Sequence, residues 1–315
     1  MATESPVKIW LAQTRANFLL LAVFLVFIGW ALAWKYLSAA GYTMNWSDAI
    51  LILIGAVLTH ASVNLFNEHS DFHTGIDYHT LRNPFSGGSG MLTSGKTRAG
   101  QVLLAAVGAL AVAAAIGVYF TITAHWSIAL IALVGAFAIV FYTNFLAKIM
   151  LGEFFAGLTL GTLVVVGTFV ALVAKAGPGA IELYPLEMIL ISIPPGILTF
   201  QLLFLNEFPD ADADLQGGRK HLVITLGHES SAKLYIALLA LTYLVILVTP
   251  FVSTASNWVL LGLLTIPMAI KASKGTLANA NSKEGIIPVM AVNVGIVLLT
   301  DVLLALGVFL GVLLG

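Results

Sequence analysis

Acidic side chains are scarce in this sequence and are concentrated in two short stretches. Only 9% of the residues are charged. The first stretch is NLFNEHSDFHTGID, residues 64–77, and the second is NEFPDADADLQGGRK, residues 206–220. Together they hold a large share of the fifteen acids: Glu68, Asp71, Asp77, Glu207, Asp210, Asp212 and Asp214. Such crowding is unfavourable unless another group compensates the negative charge.

Helical spacing places most of these oxygens on common faces. At about 100° per residue, Asn64, Glu68 and Asp71 share one face, and a second helix carries an Asn and two acids at i, i+4 and i+8. Carboxylate and amide oxygens without thiolates suit Mg²⁺, which leaves positions free for phosphate oxygens. The sequence therefore predicts a Mg²⁺ site at these two helix ends.

Each acidic stretch is followed by basic residues and glycines, in RNPFSGGSG (82–90) and QGGRK (216–220). A single acidic helix end is usually a solvated loop. Two acidic ends, each followed by basic side chains and glycine-rich backbone, are what binding of a pyrophosphate on Mg²⁺ requires. A rival interpretation is a transition-metal site on His69 and His73, which are spaced i, i+4.

The elements that carry these residues are predicted to cross a membrane. The chain has 315 residues, of which 59% are hydrophobic, and a mean hydropathy of +1.00. This apolar content exceeds that of ordinary globular domains. Nine apolar runs are candidate spans: about 17–38, 47–68, 99–121, 126–146, 151–174, 186–207, 231–252, 257–271 and 288–313. A polar segment precedes the first run and no cleavage site follows it, so we expect that span to be retained.

Basic residues predict the orientation of these spans. With a cytoplasmic N-terminus, the inner side collects Lys8, Arg15, Arg82, Lys96, Arg98, Lys148, Arg219, Lys220, Lys233, Lys271, Lys274 and Lys283. The outer side collects only Lys35 and Lys175. The positive-inside rule then places the C-terminus outside and both acidic stretches on the cytoplasmic side, where they could converge.

Composition also limits the chemistry. The chain has no cysteine, which excludes disulfides and thiol catalysis. The net charge of −1 gives no indication of nucleic-acid binding, and we expect none.

The two acidic stretches resemble the aspartate-rich motifs of the UbiA superfamily of intramembrane prenyltransferases. The spacing of the first is most similar to the MenA-like branch, which prenylates 1,4-dihydroxy-2-naphthoate. TRANFLLLAVFLVFIG (14–29) and GEFFAGLTLGTLVVVGTF (152–169) resemble other parts of that family. The chain departs from the branch at Glu68 and Glu207, lacks a proline after Arg15, and lacks the paired prolines usual in the region of YTNFLAK (142–148).

The resemblance implies one integral membrane domain over residues 1–315, an all-α bundle of nine transmembrane helices. A central cavity for prenyl donor and acceptor would open near the cytoplasmic face. The implied activity is Mg²⁺-dependent transfer of a polyprenyl chain from polyprenyl pyrophosphate to an aromatic acceptor, such as a quinone precursor.

The resemblance also implies roles for individual residues. The implied Mg²⁺ ligands are Asn67, Glu68, Asp71, Asp77, Asn206, Asp210 and Asp214. Pyrophosphate contacts are expected from Asn64, Arg82, Lys148, Arg219 and Lys220. The prenyl and acceptor pocket is expected to include Arg15, Phe66, Tyr142, Phe200 and Phe204. Catalytic roles are expected for Asp71, Asp210, Asp214, Tyr142 and Glu153, although Glu153 could instead form a surface ion pair with Lys148.

The sequence also allows other functions. The same fold could prenylate a glycerol-phosphate precursor of ether lipids or cyclise its own donor, and paired acids also occur in ion-coupled transporters. Asp301 lies near the predicted midplane of the last span, where we expect a hydrogen-bonded or protonated structural role.

Overall fold

The computed structural model describes residues 5–142 and 145–314, which form helices and loops without a β-strand. Residues 143 and 144 of the YTNFLAK stretch lie outside the described residues. The N-terminal part contains α1 (Pro6–Gln13), a 3₁₀ turn (Ala16–Phe18), α2 (Leu19–Ala39) and α3 (Trp46–Thr74). The side chain of Asn45 caps the start of α3. Gly75, with φ +80°, follows its end.

The remaining helices follow in chain order. They are α4 (Ala99–Thr123), α5 (Ser127–Phe141), α6 (Gly152–Gly157), α7 (Leu163–Val173), α8 (Leu186–Gln216), α9 (Leu222–Leu226), α10 (His228–Val252), α11 (Ile266–Asn279) and α12 (Ile287–Leu314). A π-helical segment, Leu158–Thr162, joins α6 to α7. Four further 3₁₀ segments lie between helices in the described chain: Ile76–Tyr78, Leu146–Lys148, Ala174–Ala176 and Asn257–Thr265.

The prediction of an all-helical membrane protein is confirmed. Within the described ranges, 7 helical segments are long and apolar enough to cross a membrane. The fourth and eighth predicted spans correspond to shorter elements, namely α5 and the 3₁₀ segment that leads into α11. The count of nine spans therefore stays a prediction.

The second and sixth predicted spans are longer than hydropathy indicated. The span predicted to end at residue 68 continues as α3 to Thr74, and that predicted to end at residue 207 continues as α8 to Gln216. Polar residues can extend a helix beyond its apolar run, so the apolar limit underestimates its length. The extension puts Asp71, Asp210 and Asp214 on regular helix.

The core of the bundle surrounds α2 and α8. Helix α2 packs against α3, α7 and α12, and α8 packs against α6, α10 and α12. Small residues bring α6 and the π-helical segment close to α8. A Cβ on Gly157 would lie 2.6 Å from the Gly196 carbonyl oxygen, and one on Gly161 would lie 2.7 Å from the Gly196 Cα. Glycine permits this approach, as in other membrane helix pairs.

The two ends of the bundle differ in their charges. At one end, Lys35 pairs with Glu187 at 2.6 Å and Lys175 pairs with Asp48 at 2.7 Å. Asp48 and Glu187 lie in the first turns of α3 and α8. The acidic stretches lie at the opposite ends of the same two helices, so the fold brings them to a common end.

Candidate active site

The two acidic stretches surround one polar cavity with an empty volume of about 830 Å³. Asp71 from α3 and Asp77 from the following 3₁₀ turn lie on one side, and Asp210 and Asp214 from α8 lie on the other. The amide side chains of Asn64, Asn67 and Asn206 also line the wall.

Arg219 joins the two stretches directly. Its guanidinium donates one hydrogen bond to the Asp71 carboxylate and another, of 2.7 Å, to Oδ1 of Asp214. Although burial opposes the charged form, these two carboxylates hold the pKa of Arg219 above its ordinary value. A permanent cation therefore lies between acids from both stretches.

Asp77 lies in the 3₁₀ turn after α3, in the wall of the polar cavity. Burial, reinforced by repulsion from Asp71 and Glu68, raises its pKa to about 7. Gly88 (φ +71°) packs directly against it, because a Cβ at that position would lie 2.6 Å from Asp77 Oδ1. The proton on Asp77 thus competes with any cation near neutral pH.

The donor set of the cavity fits Mg²⁺. Oδ1 of Asp210 is buried and, within the described chain, has no hydrogen-bond partner, so an oxygen ligand is available. The other candidate ligands in the wall are carboxylate and amide oxygens, the type that hard divalent cations prefer. Their negative charge exceeds what Arg219 and Arg15 balance.

Glu68 makes contacts that the sequence did not predict, and its role as a Mg²⁺ ligand stays a prediction. It lies in the cavity wall, but its carboxylate accepts hydrogen bonds from Gln13 Nε2 (3.1 Å), Ser89 N (2.6 Å) and Ser89 Oγ (2.5 Å). Because both oxygens are already engaged, Glu68 fastens the loop between α3 and α4 to α1. Thr97 Oγ1 completes this contact with a 2.6 Å bond to Gln13 Oε1.

The same loop is held over the cavity at Phe85. Its carbonyl oxygen accepts hydrogen bonds from Arg15 (2.6 Å) and from Asn206 Nδ2 (3.2 Å). Asn64 Nδ2 donates to the carbonyl oxygen of Thr14 at 2.9 Å. These contacts fix the residues around Arg15 against both acidic helices.

A second, largely apolar cavity adjoins the first and has an empty volume of about 870 Å³. The two share Arg15, Asn64, Asn67, Tyr142, Leu203 and Asn206. Phe18, Leu21 and Leu202 add apolar surface. A third apolar cavity between α3, α4, α5 and α7 shares His60 and Leu160 with the second. The three cavities therefore adjoin in order, from the polar cavity lined by the acids to the two apolar cavities.

Three predicted pyrophosphate contacts lie outside these cavity walls. Arg82, Lys148 and Lys220 are exposed. The Arg82 guanidinium donates to Thr93 Oγ1, and the backbone N–H of Lys220 donates to the Ala147 carbonyl at 2.8 Å. The basic side chains in the polar wall are instead Arg15, Arg219 and His221.

Three of the predicted pocket aromatics are placed elsewhere. Phe66 packs against the small cluster around Leu65. Phe200 faces α6, where a Cβ on Gly157 would meet its Cβ at 2.9 Å, and Phe204 is fully buried in the core. The helices that pack against α8 decide which of its faces meets the cavity. Hydropathy alone did not reveal which helices these are. Tyr142 does line both cavities.

Sequence reasoning missed His221 and gave Glu207 no site role. Both line the polar cavity. Glu153 lies behind them, where its Oε1 accepts a 2.7 Å hydrogen bond from the Leu222 N–H. The Glu153 side chain is fully buried, so the alternative of a surface ion pair with Lys148 is wrong. His221 gave no signal because it lies between helices, where periodicity carries no information.

The family model of the UbiA prenyltransferase family matches residues 29–285. The chain belongs to this family. A curated relative, 1,4-dihydroxy-2-naphthoate octaprenyltransferase of Bacillus subtilis, is 29% identical over 282 residues, covering 88% of this chain and 84% of the relative.

Solved structures of the family share the fold. An apo UbiA homolog from Aeropyrum pernix has a TM-score of 0.68 at 14% identity, with 94% of this chain and 98% of that chain covered. A UbiA homolog from Archaeoglobus fulgidus bound to GPP and Mg²⁺ has a TM-score of 0.55 at 14% identity, with 94% and 99% covered. A structure concerning digeranylgeranylglyceryl phosphate synthase has a TM-score of 0.60 at 18% identity, with 96% and 98% covered.

Proposed function

We propose that this protein transfers a polyprenyl chain from polyprenyl pyrophosphate to an aromatic acceptor within the membrane, in a Mg²⁺-dependent reaction. The observation that carries the proposal is the polar cavity, where Arg219 bonds acids of both stretches. The Bacillus subtilis relative, named for the octaprenylation of 1,4-dihydroxy-2-naphthoate, supports the acceptor class.

The donor pyrophosphate would bind in the polar cavity. Bound Mg²⁺ would supply charge neutralisation for the departing pyrophosphate. The residues that would hold it are Asn67, Asp71, Asp77, Asn206, Asp210 and Asp214. Arg219 and Arg15 present N–H donors to phosphate oxygens from the cavity wall, and their charge favours the leaving group as it becomes more negative.

The allylic end of the donor would lie where the polar and apolar cavities meet. Tyr142, Asn64 and Asn67 line this junction. The apolar walls exclude water, which would otherwise capture the allylic cation, and the Tyr142 ring can stabilise that cation by a cation–π contact. The isoprenoid tail would continue past His60 and Leu160 into the third cavity, among lipid-facing helices.

The charge of the apolar cavity favours an aromatic acceptor over a glycerol phosphate. Among the described residues of its wall, Arg15 is the one permanently charged cation. A phosphorylated acceptor would need further cations beyond those used by the donor. We therefore place a quinone precursor such as 1,4-dihydroxy-2-naphthoate first and a glycerol-phosphate ether-lipid precursor second.

The proposal includes the arrangement in the membrane. Residues 1–315 would form one domain of nine helices, with α5 as the fourth and the segment 257–279 as the eighth. The basic residues around the acidic end support a cytoplasmic N-terminus and active site, with the C-terminus outside.

The test is product formation by purified protein in detergent with Mg²⁺, geranylgeranyl pyrophosphate and 1,4-dihydroxy-2-naphthoate. Wild type should release pyrophosphate only when the acceptor is present, and Asp71→Asn and Asp210→Asn should lower kcat by at least about 100-fold. Asp212→Asn is the matched control, because Asp212 is on the same helix but exposed and paired with Lys283. Pyrophosphate release without acceptor would indicate a cyclase, and no release would contradict the proposal.

A further inference from the structure

Three ligating side chains meet at the wall of the polar cavity, with Glu207 and His221 in the wall and Glu153 behind them. Glu153 opens α6, Glu207 lies on α8, and His221 immediately precedes α9. They offer ligand atoms that all lie within 4.8 Å of one another. The three residues are 0%, 7% and 2% exposed, so solvent does not satisfy them.

The two carboxylates are incompletely paired. Glu153 Oε1 has the Leu222 N–H as a donor, but within the described chain Glu153 Oε2 and Glu207 Oε2 have no hydrogen-bond partner. Two buried carboxylates side by side repel and lose hydration, a cost that persists unless a cation or a shared proton compensates it.

The imidazole of His221 lies between two carboxylates. Nε2 of His221 lies 3.2 Å from Asp214 Oδ2, while Nδ1 lies 3.5 Å from Glu207 Oε2. The 3.2 Å contact is not a formed hydrogen bond, because Nε2 has no hydrogen-bond partner within the described chain. A small rotation of the ring would let Nε2–H donate to Asp214 and turn the Nδ1 lone pair to the carboxylates, the arrangement by which a carboxylate orients a ligating histidine. The competing donor, the Ile224 N–H, is 3.4 Å from Nδ1, near the long limit of a hydrogen bond.

We propose that Glu153, Glu207 and Nδ1 of His221 bind a transition-metal dication of the Zn²⁺ or Mn²⁺ type. Two ionised carboxylates and a neutral imidazole balance a charge of +2, and the nitrogen ligand favours such a metal over Mg²⁺. Atoms bound at about 2.1 Å to one ion in a tetrahedral site lie about 3.4 Å from each other, so binding would draw the three side chains together by up to about an ångström.

This site adjoins the Mg²⁺ cavity, because Glu207 and His221 also line that cavity. It uses none of the proposed Mg²⁺ ligands and does not depend on the proposed reaction. Bound metal would tie α6 and α8 to the residue before α9. Through the Nε2–H of His221 it would also hold the orientation of Asp214. His221 is thus a positioning residue as well as a ligand.

The experiment measures metal on the full-length protein rather than turnover. Protein in detergent is stripped with chelator and dialysed against Zn²⁺ or Mn²⁺ in a large excess of Mg²⁺, which saturates the acid cavity. Metal per chain is then measured by mass spectrometry. Wild type and Asp71→Asn should retain about one ion, whereas Glu153→Gln and His221→Gln should bind more than about tenfold more weakly, since loss of even an outer partner costs that much.

A second measurement guards against variants that fail to fold. X-ray absorption of Zn²⁺-loaded wild type should show oxygen and nitrogen ligands with the scattering of one imidazole. The proposal is overturned if wild type binds no Zn²⁺ or Mn²⁺ under excess Mg²⁺, which would assign a shared proton to the two glutamates. It is also overturned if binding disappears in Asp71→Asn and persists in folded His221→Gln.

Discussion

Asp77 and Asp212 carry the same side chain in opposite surroundings. Asp77 lies beneath Gly88 in the cavity wall and is 5% exposed. The side chain of Asp212 is 70% exposed and pairs with Lys283 at 2.7 Å. Spacing along the chain could not predict that Asp77 is buried and Asp212 exposed, because the burial of Asp77 depends on the loop that folds over it.

The proton on Asp77 should make Mg²⁺ use dependent on pH. With a pKa raised to about 7, the metal-free side chain is mostly protonated below that pH and must lose the proton to bind Mg²⁺. The Mg²⁺ concentration for half-maximal activity should therefore rise as pH falls below about 7, by up to about tenfold per unit, and level off above it.

Activity titrations with Mg²⁺ between pH 6 and pH 8 check this prediction. Asp77→Asn should need more Mg²⁺ and lose most of the pH dependence, whereas Asp212→Asn should behave as wild type. An unchanged pH dependence in Asp77→Asn would assign the proton to another group.

Asp301 provides a prediction about a buried acid away from the site. It is fully buried in α12, and within the described residues neither carboxylate oxygen has a hydrogen-bond partner. An unpaired charge there would be very costly, so we expect a neutral side chain. Asp301→Asn should then change the free energy of unfolding by less than about 0.5 kcal/mol.

Asp48→Asn is the contrasting variant. Asp48 is buried and bonds both Lys175 and the Tyr119 hydroxyl. Its removal leaves Lys175 without its charged partner, and because Lys175 is partly exposed we expect a loss of about 1–3 kcal/mol. Thermal unfolding in detergent compares the two. A large loss in Asp301→Asn would mean that Asp301 is ionised and has a role of its own.

At the scale of elements, the helical period and the distribution of basic residues were enough to predict where the acids lie on α3 and α8. Asn206, Asp210 and Asp214 share a face because their spacing follows the helix, and the basic loops indicated that α3 and α8 present their acids at one end. The pinning of the loop by Gln13 and Glu68 was not predictable. Such contacts join distant segments and leave no periodic trace.

The close packing of α6 against α8 gives a prediction at this scale. A Cβ on Gly157 would lie 2.6 Å from the Gly196 carbonyl oxygen, which is backbone and cannot rotate away. Gly157→Ala should therefore lower the unfolding temperature and reduce activity, at a cost of about 1–3 kcal/mol. Gly108→Ala in α4 is the control, since its Cβ meets nothing within 4 Å. Equal stability of the two variants would contradict the packing argument.

At the scale of the whole molecule, the two ends of the bundle perform different tasks. The Lys35–Glu187 and Lys175–Asp48 pairs balance Glu187 and Asp48 at one end. The other end holds the acids of the polar cavity, which are the proposed Mg²⁺ ligands, and basic loops lie around them. This asymmetry fits an enzyme whose charged substrate group arrives from one side while its apolar tail enters from lipid.

The proposed orientation can be tested directly because the chain contains no cysteine. Ala180 lies in the exposed connection between α7 and α8, near Lys175, and Asn281 lies in the exposed connection between α11 and α12. If basic residues mark the cytoplasmic side, a membrane-impermeant maleimide should label Ala180→Cys in intact spheroplasts and label Asn281→Cys only after lysis. The cysteine-free parent controls for background labelling. The reverse pattern would place the acidic cavity outside, where a cytoplasmic pyrophosphate donor could not reach it, and would contradict both the topology and the proposed reaction.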